Sequence, residues 1–158
     1  MSTNGFEKHD HRHCIRDAVA AAESLCAARG LRFTTLRRRV LELVWQSHRP
    51  IGAYDLLDMI KAERGGAAPP TVYRALDFLL EAGLVHRIES LNAFVGCNHP
   101  DAPHAAQFLI CTTCRRVAEL SDDTIARRIE TRATGAGFQP ERQTLEVTGT
   151  CDACARPS

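Results

Sequence analysis

An α+β fold in two parts, a winged helix-turn-helix followed by a small α/β domain closed by four cysteines, is predicted by three observations. Four amphipathic stretches at helical spacing fill most of residues 15–83. The apolar period then changes to two over Leu84–Cys97. Two Cys-x-x-Cys pairs, Cys111–Cys114 and Cys151–Cys154, close the C-terminal part with 36 residues between them. Helices followed by a two-stranded wing form the frame in which one helix enters the major groove of DNA.

The elements follow from local chemistry. Ile15–Arg29 carries Val19, Ala22, Leu25 and Cys26 on one face, and Gly30 stops it. Thr34 or Thr35 caps a second helix predicted to run to His48, with Leu36, Val40, Leu43 and Val44 as its stripe and Arg37, Arg38 and Arg39 beginning its exposed side. Ala53–Glu63 repeats the pattern, and a Gly/Ala/Pro loop follows. Pro70 suits the first turn of a fourth helix bearing Val72, Leu76, Leu79 and Leu80, which Gly83 ends. A hairpin is predicted from Leu84–Glu89 and Ala93–Cys97 around Ser90-Leu91-Asn92. Beyond it come strands at Gln107–Cys111 and Arg116–Leu120, a helix capped by Ser121 or Asp122 and running to about Thr134, and a strand at Gln143–Thr148. The expected organisation is a polar, His-rich tail over 1–14, the winged-helix domain over 15–97, a hinge over 98–105 and the cysteine-closed domain over 106–158.

Thiolates two residues apart on a tight turn can face one ion, and two such knuckles complete the tetrahedral shell that structural Zn²⁺ prefers. The alternative of disulfides or redox dithiols lacks support: the polar N-terminus shows no secretory h-region, and no stretch is long and apolar enough to span a bilayer. Seven cysteines, an odd number, fit a reducing cytoplasm with metal thiolates better than a disulfide framework. The net charge of +1 leaves any attraction to nucleic acid to a local patch; residues 1–90 hold 13 Lys+Arg against 11 Asp+Glu.

The fourth helix carries Thr71, Tyr73 and Arg74 in its first turns, off the apolar stripe. There the helix dipole favours phosphate, Arg74 can fork onto guanine and Tyr73 can meet a thymine methyl. Any surface helix shows a Tyr and an Arg; the wing that follows turns the reading toward DNA. Arginines 37–39 ordinarily mean a solvated face, but on the supporting helix they are candidates for phosphate contact. A second metal site is suggested by His86 and Cys97 on the two hairpin strands, His104 on the hinge and Glu119 past the first knuckle, an order that would let one ion tie the two domains. Singly each has an ordinary reading as a solvated, packing or surface group.

The runs Ala53-Tyr54-Asp55-Leu56-Leu57-Asp58, Pro69-Pro70-Thr71-Val72-Tyr73-Arg74-Ala75-Leu76-Asp77-Phe78-Leu79-Leu80-Glu81 and Val85-His86-Arg87-Ile88-Glu89-Ser90 resemble the ferric uptake regulator superfamily, and within it the zinc uptake regulators. The resemblance covers about Val19–Cys154. It implies a homodimeric repressor binding inverted-repeat operator DNA of zinc uptake genes, with two Zn²⁺ per monomer: Cys111, Cys114, Cys151 and Cys154 as the structural site, and His86, Cys97, His104 and Glu119 as the sensory one. The C-terminal domain then serves dimerisation, and Tyr54 joins the DNA-contacting set. Cys97 favours zinc over Fe²⁺ or Mn²⁺. The His-rich cluster typical of the iron-sensing branch is thinned here to Asn98–His104, which leaves His99 as an alternative to His104. Sensors of iron, manganese or peroxide are the competing reading within the superfamily. A zinc-stabilised enzyme is the reading of another class, disfavoured because four protein ligands leave no position for a catalytic water. His9, His11, His13 and Cys14 could bind a further ion but read as a polar tail, and no role is assigned to them. Asp55, Asp58 and Lys61 could pair neighbouring dimers, giving two dimers per operator.

Overall fold

The computed structural model describes residues 4–6, 10–64 and 68–156. Its contacts divide the chain into two compact units, Lys8–Ala102 and Pro103–Ser158 with Met1–Glu7.

In the first unit, α1 (His11–Arg29) begins four residues earlier than its apolar stripe suggests. Asp10 is the cause: its carboxylate accepts from the Arg12 amide at 2.9 Å, a cap that starts the helix ahead of its buried face. His11–Cys14 are therefore helical, not tail. α2 (Thr35–Val44) is capped by Thr34, whose hydroxyl accepts from the Arg37 amide at 3.3 Å, and it ends well short of His48. Pro50 disfavours helical backbone before it, and the Ser47 hydroxyl takes the Arg49 amide at 3.0 Å instead. α3 (Ala53–Arg64) and α4 (Pro69–Glu81) follow. Gly83 ends the α4 turn with φ 75°, which lets the Leu84 amide reach back to the Leu79 carbonyl at 2.9 Å.

β1 (Val85–Ile88) and β2 (Ala93–Gly96) pair antiparallel, with Arg87 opposite Phe94. Ile51 adds a third, one-residue strand: it exchanges both backbone hydrogen bonds with Phe94, at 2.8 and 3.0 Å. The α2–α3 turn is thereby anchored to the wing. Val40, Leu41, Val44, Leu56, Ile60, Val72, Leu76 and Leu79 form the core, each at most 2% exposed. The four helices owe their stability to that shared apolar face.

The second unit is a three-stranded sheet of order β4-β3-β5, made of β3 (Ala106–Cys111), β4 (Val117–Glu119) and β5 (Thr144–Gly149). β3 and β4 are antiparallel neighbours; α5 (Asp123–Gly135) carries the chain from β4 to β5, which runs parallel to β3. Asp122, not Ser121, caps α5, accepting from the amides of Thr124 and Ile125. Gln107, 1% exposed, fastens β3 to that cap by donating to the Asp122 carbonyl at 3.0 Å and accepting from the Asp122 amide at 3.2 Å. A four-residue helix, α6 (Asp152–Ala155), holds the second knuckle. Asn4–Phe6 form a 3₁₀ turn against β4, at variance with a uniform 1–14 tail; Gly5 lies so close that a Cβ there would stand 2.3 Å from the Val117 carbonyl. No described helix is long and apolar enough to cross a membrane.

Gly96 makes the tightest approach in the winged unit: a Cβ would fall 2.0 Å from the Trp45 ring. Gly96→Ala is expected to destabilise the unit by about 1–3 kcal/mol through overpacking. Urea unfolding followed by the emission of Trp45, the single tryptophan, measures this; wild-type stability with unshifted emission would contradict it.

Candidate metal centres and nucleic-acid interface

The four knuckle cysteines meet because β3 and β5 are parallel. Cys111 is in register with Gly149, so both strands deliver their ends to one edge, and the Thr112 amide donates to the Gly149 carbonyl at 2.9 Å. Cys111 ends β3 and Cys114 lies in the following turn, which Arg115 completes at φ 63°. Cys151 precedes α6 and Cys154 lies within it, its amide donating to the Cys151 carbonyl at 3.0 Å. One sulfur from each lies within 4.8 Å of the others, and Cys114 and Cys151 are 3.8 Å apart. Sulfurs on a tetrahedral Zn²⁺ with bonds of about 2.3 Å stand about 3.8 Å from one another, so the cluster fits that ion. The 3.8 Å between the Cys114 and Cys151 sulfurs is well beyond the about 2.05 Å of a disulfide bond, a spacing that suits ligands of one ion.

The electrostatics of the cluster also call for a cation. Backbone amides of Cys114 and Cys151 hold the Cys111 thiol down at about 6, and the Cys151 amide lies 3.4 Å from that sulfur. The hydrogen bond with Cys151 and burial, with the other two sulfurs, push Cys154 up to about 12. The protein's own dipoles thus stabilise the Cys111 thiolate, while a charge on Cys154 is disfavoured unless a cation offsets it.

The four other predicted ligands divide between the units. In the winged unit, His86 is half-buried on β1 opposite Val95, and Cys97 follows β2, 4% exposed, its amide bonded to the Leu84 carbonyl at 3.0 Å. The His99 amide donates to the Cys97 sulfur at 3.4 Å while the residue itself is exposed. In the second unit, His104 Nε2 lies 2.5 Å from Glu119 Oε1, and the Glu119 side chain is 2% exposed. A buried carboxylate needs a partner of this kind.

On the nucleic-acid side, Thr71, Tyr73 and Arg74 are exposed on α4 while Val72, Ala75 and Leu76 face the core. Tyr54 stands 78% exposed at the start of α3. The α2 arginines are engaged inside their own unit. Arg37 donates to the Arg32 carbonyl and lies 3.7 Å over the Phe78 ring; Arg38 pairs with Glu23. Arg39 bonds Glu63 at 2.5 Å and Glu42 at 2.8 Å, which raises its pKa. Sequence spacing gave no cue to Glu63, which lies on another helix. The sets Thr71, Tyr73, Arg74 and Tyr54 therefore offer free hydrogen-bonding surface, whereas Arg37, Arg38 and Arg39 hold helices together.

The chain matches the ferric uptake regulator family over residues 28–148. The zinc uptake regulation protein of Escherichia coli is 41% identical over 140 residues, spanning 88% of this chain and 82% of that protein. Among solved structures, holo XcZur has 51% identity and a TM-score of 0.81, over 87% of this chain and 96% of that one. A zinc uptake regulator complexed with zinc and DNA has 41% identity and a TM-score of 0.83, over 89% and 94%. With the family match over more than half of its length, the chain belongs to the ferric uptake regulator family.

Proposed function

We propose that the chain is a zinc-responsive transcriptional repressor that binds operator DNA of zinc uptake genes when zinc occupies a sensory site. The observation that carries this reading is its 41% identity, along nearly the full length of both chains, to a zinc uptake regulator solved with zinc and DNA. The donor chemistry agrees: a four-thiol cluster of zinc geometry, and a buried thiol, Cys97, among the remaining ligands. We assign two zinc ions per monomer to this function. Cys111, Cys114, Cys151 and Cys154 hold the structural one. His86 and Cys97 from the winged unit, with His104 and Glu119 from the other, hold the sensory one. His104 is preferred to His99 because it already pairs with buried Glu119, while His99 is exposed.

The mechanism is a population shift. Only arrangements that bring both halves of the sensory set to one cation profit from its binding, and operator DNA favours the same arrangement, so metal and DNA affinity rise together. Residues 98–105 act as the hinge between the winged domain and the dimerisation domain. α4 reads the major groove through Thr71, Tyr73 and Arg74, with Tyr54 beside it. The dimer forms on the second unit, where β5 is a sheet edge and Ile129, Phe138 and Val147 are exposed. A two-fold dimer presents two reading helices and so selects an inverted repeat. Exposed Asp55, Asp58 and Lys61 on α3 are placed to pair adjacent dimers. The site of action is the cytoplasm, where the DNA lies and thiols stay reduced.

Operator binding measured by fluorescence anisotropy should be lost on chelation and restored by Zn²⁺. Fe²⁺ or Mn²⁺ acting at lower free concentration than zinc would instead indicate another sensor of the family. Cys97→Ser should reduce the zinc stimulation at least about tenfold while leaving the thermal unfolding of the protein near wild type. Cys114→Ser should do the opposite: lose zinc from the purified protein and several kcal/mol of stability. Equal unfolding in the two variants would overturn the division of roles.

Arg74→Ala should weaken operator binding by about 1–3 kcal/mol, some 5- to 150-fold, and relax base preference at one position per half-site. Arg39→Ala should chiefly lower stability, since its carboxylate partners lie within the protein. A larger loss of DNA affinity in Arg39→Ala than in Arg74→Ala would reverse the assignment.

A further inference from the structure

The winged unit gathers a third set of metal-ligand side chains, sharing no residue with the two sets already described. His11 is the first residue of α1 and Cys14 lies three residues on, so both project from one face of its first turn. His48 comes from the turn between α2 and α3. One donor atom of each lies within 4.8 Å of the other two, and all three residues are half-buried. The His11 and His48 rings are 4.9 Å apart between centroids and tilted by 53°, an arrangement in which two imidazoles converge on a point without stacking.

We infer that His11, Cys14 and His48 form a binding site for a borderline-soft divalent cation of the Zn²⁺ class, separate from the structural and sensory sets. Two imidazoles and a thiol are the donors such a cation prefers; harder Mg²⁺, Ca²⁺ and Mn²⁺ favour oxygen shells. Donors sharing a tetrahedral ion with bonds of about 2.0–2.3 Å stand about 3.3–3.8 Å apart, so rotations closing at most about 1.5 Å bring the three into place. Three protein ligands leave a fourth position to water or an exogenous ligand. The Asp10 cap is what makes the site: by starting the helix at His11 it fixes His11 and Cys14 in helical register. The opposite wall is equally anchored, because His48 lies three residues before Ile51, whose backbone bonds to Phe94 hold the turn to the wing. An occupied site staples the start of α1 to the turn that leads into α3 and Tyr54. It steadies the helix-turn-helix within a single unit.

Co²⁺ is the probe, because a thiolate–Co²⁺ charge-transfer band reports a cysteine ligand directly. The full-length protein carrying Cys97→Ser, purified with its resident zinc, is titrated with Co²⁺. This background removes the sensory thiolate, so the outcome is independent of whether the sensory assignment holds; that assignment is tested by zinc-dependent operator binding of the wild type. One further equivalent of Co²⁺ should bind with a charge-transfer band. Adding Cys14→Ser should abolish the band, and adding His48→Gln should weaken binding at least tenfold. A spectrum and stoichiometry unchanged by both substitutions, or no band at all, would overturn the site. Far-UV circular dichroism checks the fold, and if Cys14→Ser does not fold, His11→Gln with His48→Gln makes the same comparison.

Discussion

Four sulfurs brought to one end of a pair of parallel strands cannot all carry charge unless a cation stands among them. That constraint organises the second unit. The Cys111–Gly149 register places the knuckles side by side, and the amides of Cys114 and Cys151 stabilise one thiolate, at about 6, while Cys154 is pushed up to about 12. Much of the surrounding surface is thinly packed: α5 has no buried residue, and β5 is mostly exposed. A small sheet with so little core of its own is the kind of unit that a metal cross-link and a partner subunit, as proposed, would stabilise.

The winged unit is built on a different principle. Its helices share an apolar core, and two of its arginines pair across helices, Arg39 with Glu63 and Arg38 with Glu23. Such pairs contribute little stability each when exposed, but they fix which cations remain for a polyanion. With a net charge of +1, the proposed attraction to DNA rests on basic groups outside those pairs, and Arg74 is the one basic residue of α4. The backbone exchange between Ile51 and Phe94 couples the wing to the turn ahead of α3.

The order of helices, hairpin and strands was legible because each carries its own period, caps and breakers within a few residues: Thr34 and Gly83 mark ends that local hydrogen bonds then confirm. What was not legible depended on neighbours distant in the chain. The strand contributed by Ile51 is one residue long and has no period. The helical state of His11–Cys14 turned on a single cap, Asp10, ahead of the apolar stripe. The 3₁₀ turn at Asn4–Phe6 exists through its contact with β4. Among site residues, the knuckle cysteines announce themselves by spacing. His48, by contrast, is an isolated histidine in sequence, and only folding brings it to a His-x-x-Cys pair 34 residues earlier. The basic run of α2 likewise gave no cue that Arg38 pairs with Glu23 on α1 and Arg39 with Glu63 on α3.

Charge balance distinguishes the two zinc sets in a way that bears on their roles. Four thiolates around Zn²⁺ leave a net charge of −2, which must be met by amide donors and by solvent; three of the four knuckle cysteines are in fact only half-buried. The proposed sensory set pairs one thiolate, Cys97, and one carboxylate, Glu119, with two neutral imidazoles, so the metal-bound form carries no net charge. Cys97 and Glu119 are also its most buried members, at 4% and 5% exposure. A neutral metal complex is cheap to bury, whereas a buried thiolate and carboxylate without a cation are costly unless other groups pair with them. Occupancy therefore changes the cost of bringing those ligands together, which is what a sensor requires. In the four-cysteine cluster all the ligands already belong to one unit, so an ion there would contribute stability alone.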